Sequence, residues 1–236
     1  MELFGDLISS QLFMLTLTVV AYFIAQTLYR RFNTLLLNPI IVSSILVILF
    51  LRATGIKYED YLAANTIINF LLGFSVVPLS YLMHKNVNRI KEYKVSILVT
   101  TFVGSVVGVL TIVAFAYLFG WDKSIMVSLQ PKSVTTPIAL SLSANGQGIT
   151  ALTALVVAIA GIFGSVVGPA ILKLSRVSDP VSRGLALGSA SHAIGTARAL
   201  EMGAVEGAIG GAAIGLMGLF TSIILPVVNA LLNSFG

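Results

Sequence analysis

Residues 130–148 read QPKSVTTPIALSLSANGQG and interrupt a chain that is otherwise strongly apolar. Hydrophobic residues make up 57% of the 236 residues, charged residues make up 10%, and the mean hydropathy is +0.99. These values are typical of an integral membrane protein and lie outside the range of water-soluble domains. In a bilayer, a segment with a lysine and two prolines predicts an interrupted helix. Such backbone is tolerated at membrane depth only when it is buried in protein or lines an aqueous cavity.

Segments that are apolar and long enough to cross the bilayer surround this stretch, each approaching the roughly 20 residues that a crossing takes. They are 7–29, 39–55, 62–83, 95–119, 150–172 and 207–233. Two further segments, 124–145 and 184–200, are too polar or too broken for ordinary spans. The sequence therefore predicts an all-α, polytopic membrane bundle with broken or re-entrant helices. We expect one transmembrane domain over residues 1–236, with an N-terminal helix over 7–29.

The loop charges predict a topology. Basic residues concentrate at Arg30 and Arg31 and in the loops 84–94 and 173–183, which the positive-inside rule places in the cytoplasm. Acidic residues concentrate in the alternate loops, at Glu59/Asp60, Asp122 and Glu201/Glu206, which are then outside. From an outside Asp122 to an inside Lys173 the chain crosses an odd number of times, and 150–172 already supplies one crossing. Residues 124–145 are therefore expected to form a re-entrant hairpin with its tip near 130–137. The alternative is a plain span that leaves the loop 173–183 outside.

Two segments in the first half of the chain resemble two segments in the second half. LNPIIVSSIL (37–46) aligns with LQPKSVTTPI (129–138), and SVVPLSYLMHK (75–85) aligns with SVVGPAILKLSR (165–176), both at offsets of about ninety residues. These matches predict a duplication, with repeat 1 at about 37–119 and repeat 2 at about 124–234. The repeats are parallel under the re-entrant topology and inverted under the plain-span alternative. Secondary transporters are commonly built this way, with midplane sites made by interrupted helices in corresponding positions.

The first polar stretch contains the elements of an anion site. Pro137 suits the first turn of a helix through IALSLSA, so Thr136 is the expected N-cap. The free amides of that helix start, together with Lys132, favour an anion. Alternatively, the Ser and Thr side chains only satisfy backbone groups left open by the prolines. Ser133, Thr135 and Asn145 are the further polar residues assigned to this site, and the predicted helix breaks are Asn38, Pro39, Pro78, Pro131 and Pro137.

A second polar stretch, GSASHAIGTARALE (188–201), interrupts a helix of small residues. Arg198 offers a planar fork that matches a carboxylate, and His192 titrates near neutrality, which suits coupling to a proton. Ser191 and Thr196 supply hydroxyls on the same helical face. Alternatively, Arg198 reaches the membrane surface beside Glu201 and His192 makes only an interhelical hydrogen bond. Glycines at four-residue spacing predict close helix packing and a homodimer: Gly104/Gly108, Gly164/Gly168 and Gly207/Gly211/Gly215.

Several function classes are disfavoured by the sequence. The net charge of +5 lies in short loops without aromatic interleaving, so no nucleic-acid partner is expected. Cysteine is absent, and we find no zinc, Walker or nucleophile-elbow motif. We therefore predict no metal, no cofactor and no enzymatic activity.

The motifs QPKSVTTPIA (130–139) and GSASHAIGTARALE (188–201), supported by LNP (37–39) and the Pro78 segment, resemble the LrgB/CidB family of bacterial membrane proteins. They also resemble the C-terminal part of the plant plastidial glycolate/glycerate translocator, and the resemblance covers most of the chain. It implies a multi-pass protein of the bacterial inner (cytoplasmic) membrane. It also implies two different functions. One is antiholin-like control of murein hydrolases and cell lysis with an LrgA/CidA-type holin-like partner, and the other is transport of small organic acids.

The leading hypothesis is a proton-coupled secondary transporter of small monocarboxylates such as glycolate, glycerate, lactate or pyruvate. The carboxylate is expected at the Thr136 helix start near Lys132, with Arg198 as a second clamp. Ser191 and Thr196 are expected to hold a substrate hydroxyl, and His192 is the candidate for proton coupling. The competing hypothesis is a regulatory subunit that acts on a holin-like partner without moving solute.

Overall fold

The computed structural model describes residues 10–32, 34, 37–74 and 76–235. Every secondary-structure element longer than a turn among them is an α-helix. The chain forms two compact units, residues 1–78 and 79–236. The first contains α1 (Gln11–Phe32), α2 (Pro39–Thr54), α3 (Tyr58–Ala64) and α4 (Thr66–Phe74), while α5 (Val76–Lys85) crosses the boundary. The second contains α6 (Val87–Glu92), α7 (Lys94–Phe119), α8 (Lys123–Leu129), α9 (Thr136–Asn145), α10 (Thr150–Leu174), α11 (Pro180–Met202) and α12 (Ala204–Phe235).

Four helices are long and apolar enough to cross a membrane, namely α1, α7, α10 and residues 204–232 of α12. A fifth crossing is added if α2 and α3, which are bent by 119°, count as one broken span. The predicted all-helical, multi-pass bundle with broken helices is therefore confirmed. Of the predicted N-terminal helix over 7–29, residues 7–9 lie outside the described part of the chain.

In the first unit, α2 begins where a helix break was predicted. The Asn38 side chain accepts a hydrogen bond from the Ile40 N–H at 2.9 Å, and Pro39 occupies the first turn. The helix ends at Gly55, whose φ of 72° lies in the left-handed region that glycine adopts without strain. The core of this unit contains Met14, Ala21, Val47, Leu51 and Ala64.

The predicted span over 62–83 is interrupted near its start, because α3 ends at Ala64 and α4 begins at Thr66, while residue 75, between α4 and α5, lies outside the described part of the chain. The interruption falls at the buried Asn65, whose Nδ2 donates to the Tyr61 carbonyl at 2.9 Å and whose Oδ1 accepts from Thr18 Oγ1 at 3.3 Å. A side-chain amide that binds its own backbone competes with the helical ladder. Pro78, a predicted helix break, is the third residue of α5.

The second unit has two ends, which we call the Asp122 end and the Asp179 end. At the Asp179 end, Ile97 of α7 packs with Val181 and Leu185 of α11 and with Ile209 of α12. At the Asp122 end, Ala116 of α7 and Met126 of α8 are buried together, and Trp121, Val228 and Leu232 pack against them. Both α7 and α12 therefore run from the Asp179 end to the Asp122 end. Helix α10 runs the opposite way, because the amide of Ile149 binds Ser128 Oγ and Leu172 packs with Val177.

Residues 123–145 form a re-entrant hairpin, which we call the first hairpin. Lys123 and Asn145 line one cavity at the Asp122 end. A straight helix of this length would separate its ends by roughly 33 Å, at about 1.5 Å per residue. Helix α8 enters from the Asp122 end, residues 130–135 turn, and α9 returns. The structure thus follows the re-entrant path that the parity argument predicted, and not the plain-span alternative.

Helix α11 is also a hairpin, which we call the second hairpin. Leu187 and Ala199 share one core cluster, although a straight helix would place them about 18 Å apart. The chain reverses at Ser191 (φ −134°, ψ 22°) and His192 (φ 43°, ψ −134°). A β-carbon added to Gly195 would touch the Leu187 carbonyl, so the two legs lie against each other.

The reversal corrects two predictions. The helical face drawn through 188–201 does not continue across Ser191 and His192. The acidic positions Glu201 and Glu206, predicted outside, also lie at the Asp179 end together with the basic loops. Val205 packs on the cluster around Ile97, and Arg89 of the loop 84–94 acts electrostatically on Asp179 of the loop 173–183.

The second unit therefore contains a span followed by a hairpin twice. The second pair, α10 and the second hairpin, runs in the opposite direction to the first pair, α7 and the first hairpin. The motif GSVVG occurs in both spans, at 104–108 in α7 and at 164–168 in α10. The ninety-residue repeat predicted from the sequence stays a prediction.

Candidate functional site

The tips of the two hairpins meet on α10, around one residue. Val157 is fully buried and packs with Val134 and Ala139 of the first hairpin. Its carbonyl oxygen lies 2.9 Å from His192 Nε2 at the tip of the second hairpin. Since a carbonyl only accepts, Nε2 carries the hydrogen and Nδ1 is the ring nitrogen left to gain or lose a proton. Two interruptions of helical backbone thus converge inside the unit from opposite ends.

Lys132 is the cation of the first tip. Its Nζ lies 3.4 Å from Ser133 Oγ and would be 3.8 Å from a β-carbon on Gly108, in the middle of α7. The described residues contain two ion pairs, Arg89 with Glu92 and Arg198 with Glu201, and neither includes Lys132. A half-buried ammonium without a carboxylate partner favours an anionic ligand.

Helix α9 begins beside this lysine. The N-cap is Thr135 and not the predicted Thr136, which is the first helical residue, followed by Pro137. The Thr135 hydroxyl makes no capping hydrogen bond within the described chain. Two first-turn amides, of Thr136 and Ile138, therefore have no side-chain cap, and a helix start of this kind attracts negative charge.

The second tip is tightly packed. His192 is 4% exposed, and its ring lies against Gly161. Ser191 is 1% exposed and occupies the space beside Gly164, where a β-carbon would collide with its Oγ. The φ of His192 is 43°. A positive φ at a residue other than glycine costs of order 1–3 kcal/mol and persists only where surrounding packing enforces it. Such strain concentrates at functional sites.

Three buried polar atoms have no hydrogen-bond partner among the described residues: Gln130 Oε1, Ser189 Oγ and Thr196 Oγ1. They lie on the segments that flank the two tips. Native proteins rarely leave such groups unpaired, so each is a candidate for contact with a ligand or water. Thr196 was predicted, but Gln130 and Ser189 were not. The Gln-Pro pair at the start of the interrupted stretch was the available signal for Gln130.

Two predicted residues lie away from the tips. Arg198 forms an ion pair with Glu201 on the outer part of the returning leg, and their side chains are 37% and 65% exposed. This is the surface pairing that the sequence left open as an alternative. Asn145 is exposed at the Asp122 end. The residues near the tips are Lys132, Ser133, Thr135, Thr136, Ser191, His192 and Thr196.

A buried hydroxyl network anchors the first hairpin to α10. Thr153 Oγ1 donates to Ser143 Oγ at 2.7 Å, and Ser128 Oγ accepts from the amide of Ile149 at 2.7 Å. Because these groups already bind protein partners, we assign them a structural role. In the described ranges, no group of three or more His, Asp or Glu side chains could hold a metal ion.

Comparison with known proteins shows the family of the chain. A family model described as "LrgB-like family" matches residues 18–231. The chain belongs to the LrgB-like family. This LrgB-like protein is 32% identical over 214 residues to a Staphylococcus epidermidis protein named "Holin-like protein CidB", a match that covers 91% of this chain and 93% of the relative. It is 37% identical over 212 residues to the Bacillus subtilis "Uncharacterized protein YxaC", covering 90% of this chain and 92% of that one.

A third relative is the Bacillus cereus "Antiholin-like protein LrgB", 32% identical over 216 residues that cover 91% of this chain and 94% of the relative. No solved structure matches. With bacterial relatives and four apolar helices, this LrgB-like chain is a multi-pass protein of the bacterial inner membrane.

Proposed function

We propose that the protein is a secondary transporter of small monocarboxylates such as glycolate, glycerate, lactate or pyruvate. The observation that carries the proposal is the meeting of two re-entrant hairpins on Val157 from opposite ends of the unit. Transporter sites are typically built near the membrane midplane from interrupted helices, and alternating access needs one site that each end of the protein can reach in turn.

The chemistry at the tips suits a small organic acid. Lys132 and the uncapped start of α9 would bind the carboxylate. Ser191 and Thr196 would bind a hydroxyl or carbonyl of the substrate, with Thr196 Oγ1 already buried and unpaired among the described residues. His192 would carry the coupled proton on Nδ1, since Nε2 binds the Val157 carbonyl. Arg198 is left out of the proposed site because Glu201 binds it.

A second candidate function follows from the names of the relatives. "Holin-like protein CidB" and "Antiholin-like protein LrgB" favour regulation of cell lysis together with an LrgA/CidA-type holin-like protein. Under that reading the protein would bind a membrane partner without moving solute. A homodimer remains a proposal under either function.

Uptake by purified protein in liposomes distinguishes the two functions. We expect labelled glycolate or pyruvate to accumulate under an imposed proton gradient, and the Lys132→Gln variant to lose that uptake. Lys91→Gln is the matched control, because Lys91 is an exposed cation in the loop 84–94. If the wild-type protein moves none of the four acids but captures a holin-like partner, the regulatory function is correct and the transporter proposal fails.

A further inference from the structure

A polar cavity of about 430 Å³ opens at the Asp122 end, away from the hairpin tips. We call it the vestibule and define it by its four polar lining residues, Lys123, Asn145, Gln147 and Asn229. Lys123 and Asn145 lie at the outer ends of the two legs of the first hairpin, and Asn229 lies on α12. Their side chains offer one ammonium and three amides to whatever enters.

The vestibule is connected to the first tip through one buried side chain. Asn229 Oδ1 accepts a hydrogen bond from Gln130 Nε2 at 3.0 Å. Gln130 is 2% exposed, and its Oε1 has no partner in the described part of the chain. Pro131 and Lys132 follow directly, so Gln130 lies between the vestibule and the proposed carboxylate site. An amide that bridges them with one polar atom unpaired is suited to pass a hydrogen-bonding solute inward.

The charge in the vestibule selects the class of ligand. Lys123 is exposed and is absent from both ion pairs of the described residues. A second cavity of about 330 Å³ also has Lys123 and Asn229 in its lining, so these two side chains separate two open spaces. A solvated cation beside three amides attracts a small anion that also carries hydrogen-bonding groups, and it discriminates against cations.

We infer that the vestibule is a separate entry site for small hydroxy- or keto-acid anions, held by Lys123 and the three amides before they pass Gln130. This inference rests on the proposed function for the identity of the ligand. It assigns roles to Lys123, Gln147 and Asn229, which lie outside the tip site.

Cysteine labelling tests the vestibule without any transport measurement. The chain has no cysteine, so Ala230→Cys places a single thiol in the cavity lining without removing a polar group. Thr150→Cys is the control, an exposed position at the same end that does not line the cavity. The rate of reaction with an anionic methanethiosulfonate is measured in proteoliposomes without a gradient, with and without glycolate.

We expect glycolate to slow the labelling of the Ala230→Cys variant several-fold and to leave that of Thr150→Cys unchanged. Adding Lys123→Gln to Ala230→Cys should remove that protection and should slow the anionic reagent but not a neutral one. Unchanged labelling in glycolate, equal protection by chloride, or full protection in the presence of Lys123→Gln would each overturn the entry site. Protection of the thiol at position 230 in a protein that moves no acid would contradict the transporter function alone. Uptake without protection would contradict the vestibule alone.

Discussion

The two span-and-hairpin modules of the second unit share an order of elements but differ at their tips. In each module a glycine of the GSVVG motif faces the tip of the hairpin that follows, Gly108 beside Lys132 and Gly164 beside Ser191. The first tip is a six-residue turn with a lysine that no carboxylate pairs among the described residues. The second is a two-residue reversal without an acidic, lysine or arginine side chain at the turn.

The packing of the second tip is also much closer. A β-carbon on Gly188 would lie 2.5 Å from the Gly210 carbonyl of α12, whereas one on Gly108 would meet only the end of the flexible Lys132 side chain at 3.8 Å. The first tip carries a charged side chain, while the second hairpin packs closely against α12 and has no acidic, lysine or arginine side chain at its turn.

The largest expected effect comes from the glycines that open the two motifs. Gly164→Ala places a methyl group on Ser191 Oγ, whereas the methyl of Gly104→Ala would meet only Met217 Sδ at 3.7 Å, an ordinary contact. We expect Gly164→Ala to lower the free energy of unfolding by about 1–3 kcal/mol. Gly104→Ala should be neutral or stabilising by up to about 1 kcal/mol, because alanine favours a helix. Thermal unfolding in detergent measures both, and equal effects would contradict the difference in packing.

Substituting His192 by glutamine separates proton coupling from packing. A glutamine amide can still donate to the Val157 carbonyl but cannot titrate. We therefore expect His192→Gln to fold and to bind substrate while its uptake loses its dependence on the proton gradient. His192→Ala, which removes the hydrogen bond as well, should also lose stability. A pH profile of uptake that does not differ between His192→Gln and the wild type would exclude His192 as the coupling group.

A smaller effect is expected where each hairpin begins, at Asp122 and Asp179. The Asp179 carboxylate accepts from the Ser182 amide at 2.8 Å, whereas Asp122 makes no capping bond within the described residues. The pKa of Asp179 is lowered chiefly by that backbone hydrogen bond. Because the site is exposed, Asp179→Ala should cost about 1 kcal/mol or less, and Asp122→Ala should cost nearly nothing.

The pH dependence of this cap has a definite sign. A lowered pKa in the folded state means that the cap stabilises the protein above the ordinary aspartate value of about 3.9, and that this stabilisation is lost as the pH falls through the folded value. The difference between wild type and Asp179→Ala should therefore be present at neutral pH and shrink in acid. A difference that grows in acid would contradict the capping role.

The first hairpin could be predicted from sequence because its tip carries strong local signals. Two prolines and a lysine within an apolar chain identify 130–137 as interrupted, and counting crossings requires the segment to return. The exact cap could not be predicted, because Thr135 and Thr136 are equivalent by composition. The position of Lys132 Nζ beside Gly108 also required the structure, since nothing in the local sequence relates these positions.

The second hairpin could not be predicted in the same way. Its reversal uses Ser191 and His192, with no proline or glycine at either position, and the strained backbone is maintained by tertiary contacts with Gly161 and Gly164. The sequence marked 184–200 as too broken for an ordinary span, but it drew one helical face through 188–201 because residues on both sides of the reversal have helical spacing. That reading placed Arg198 on the same side as His192, while the structure pairs the arginine with a glutamate three residues later.

The break at Asn65 was missed for a related reason. Asn65 breaks the helix through side-chain hydrogen bonds to Thr18 and to the Tyr61 carbonyl. One of these partners lies 47 residues away in the sequence, so composition along the segment does not show it.

The central claim is that both hairpins enter the unit from opposite ends and return to the end from which they came. Four single-cysteine variants of this cysteine-free chain test it, each at an exposed position: Lys123→Cys, Asn145→Cys, Ser178→Cys and Glu201→Cys. Each is labelled with a membrane-impermeant thiol reagent in oriented vesicles. We predict that the thiols at positions 123 and 145 react from one face of the membrane and that those at 178 and 201 react from the other. Labelling of either pair from opposite faces would contradict the account.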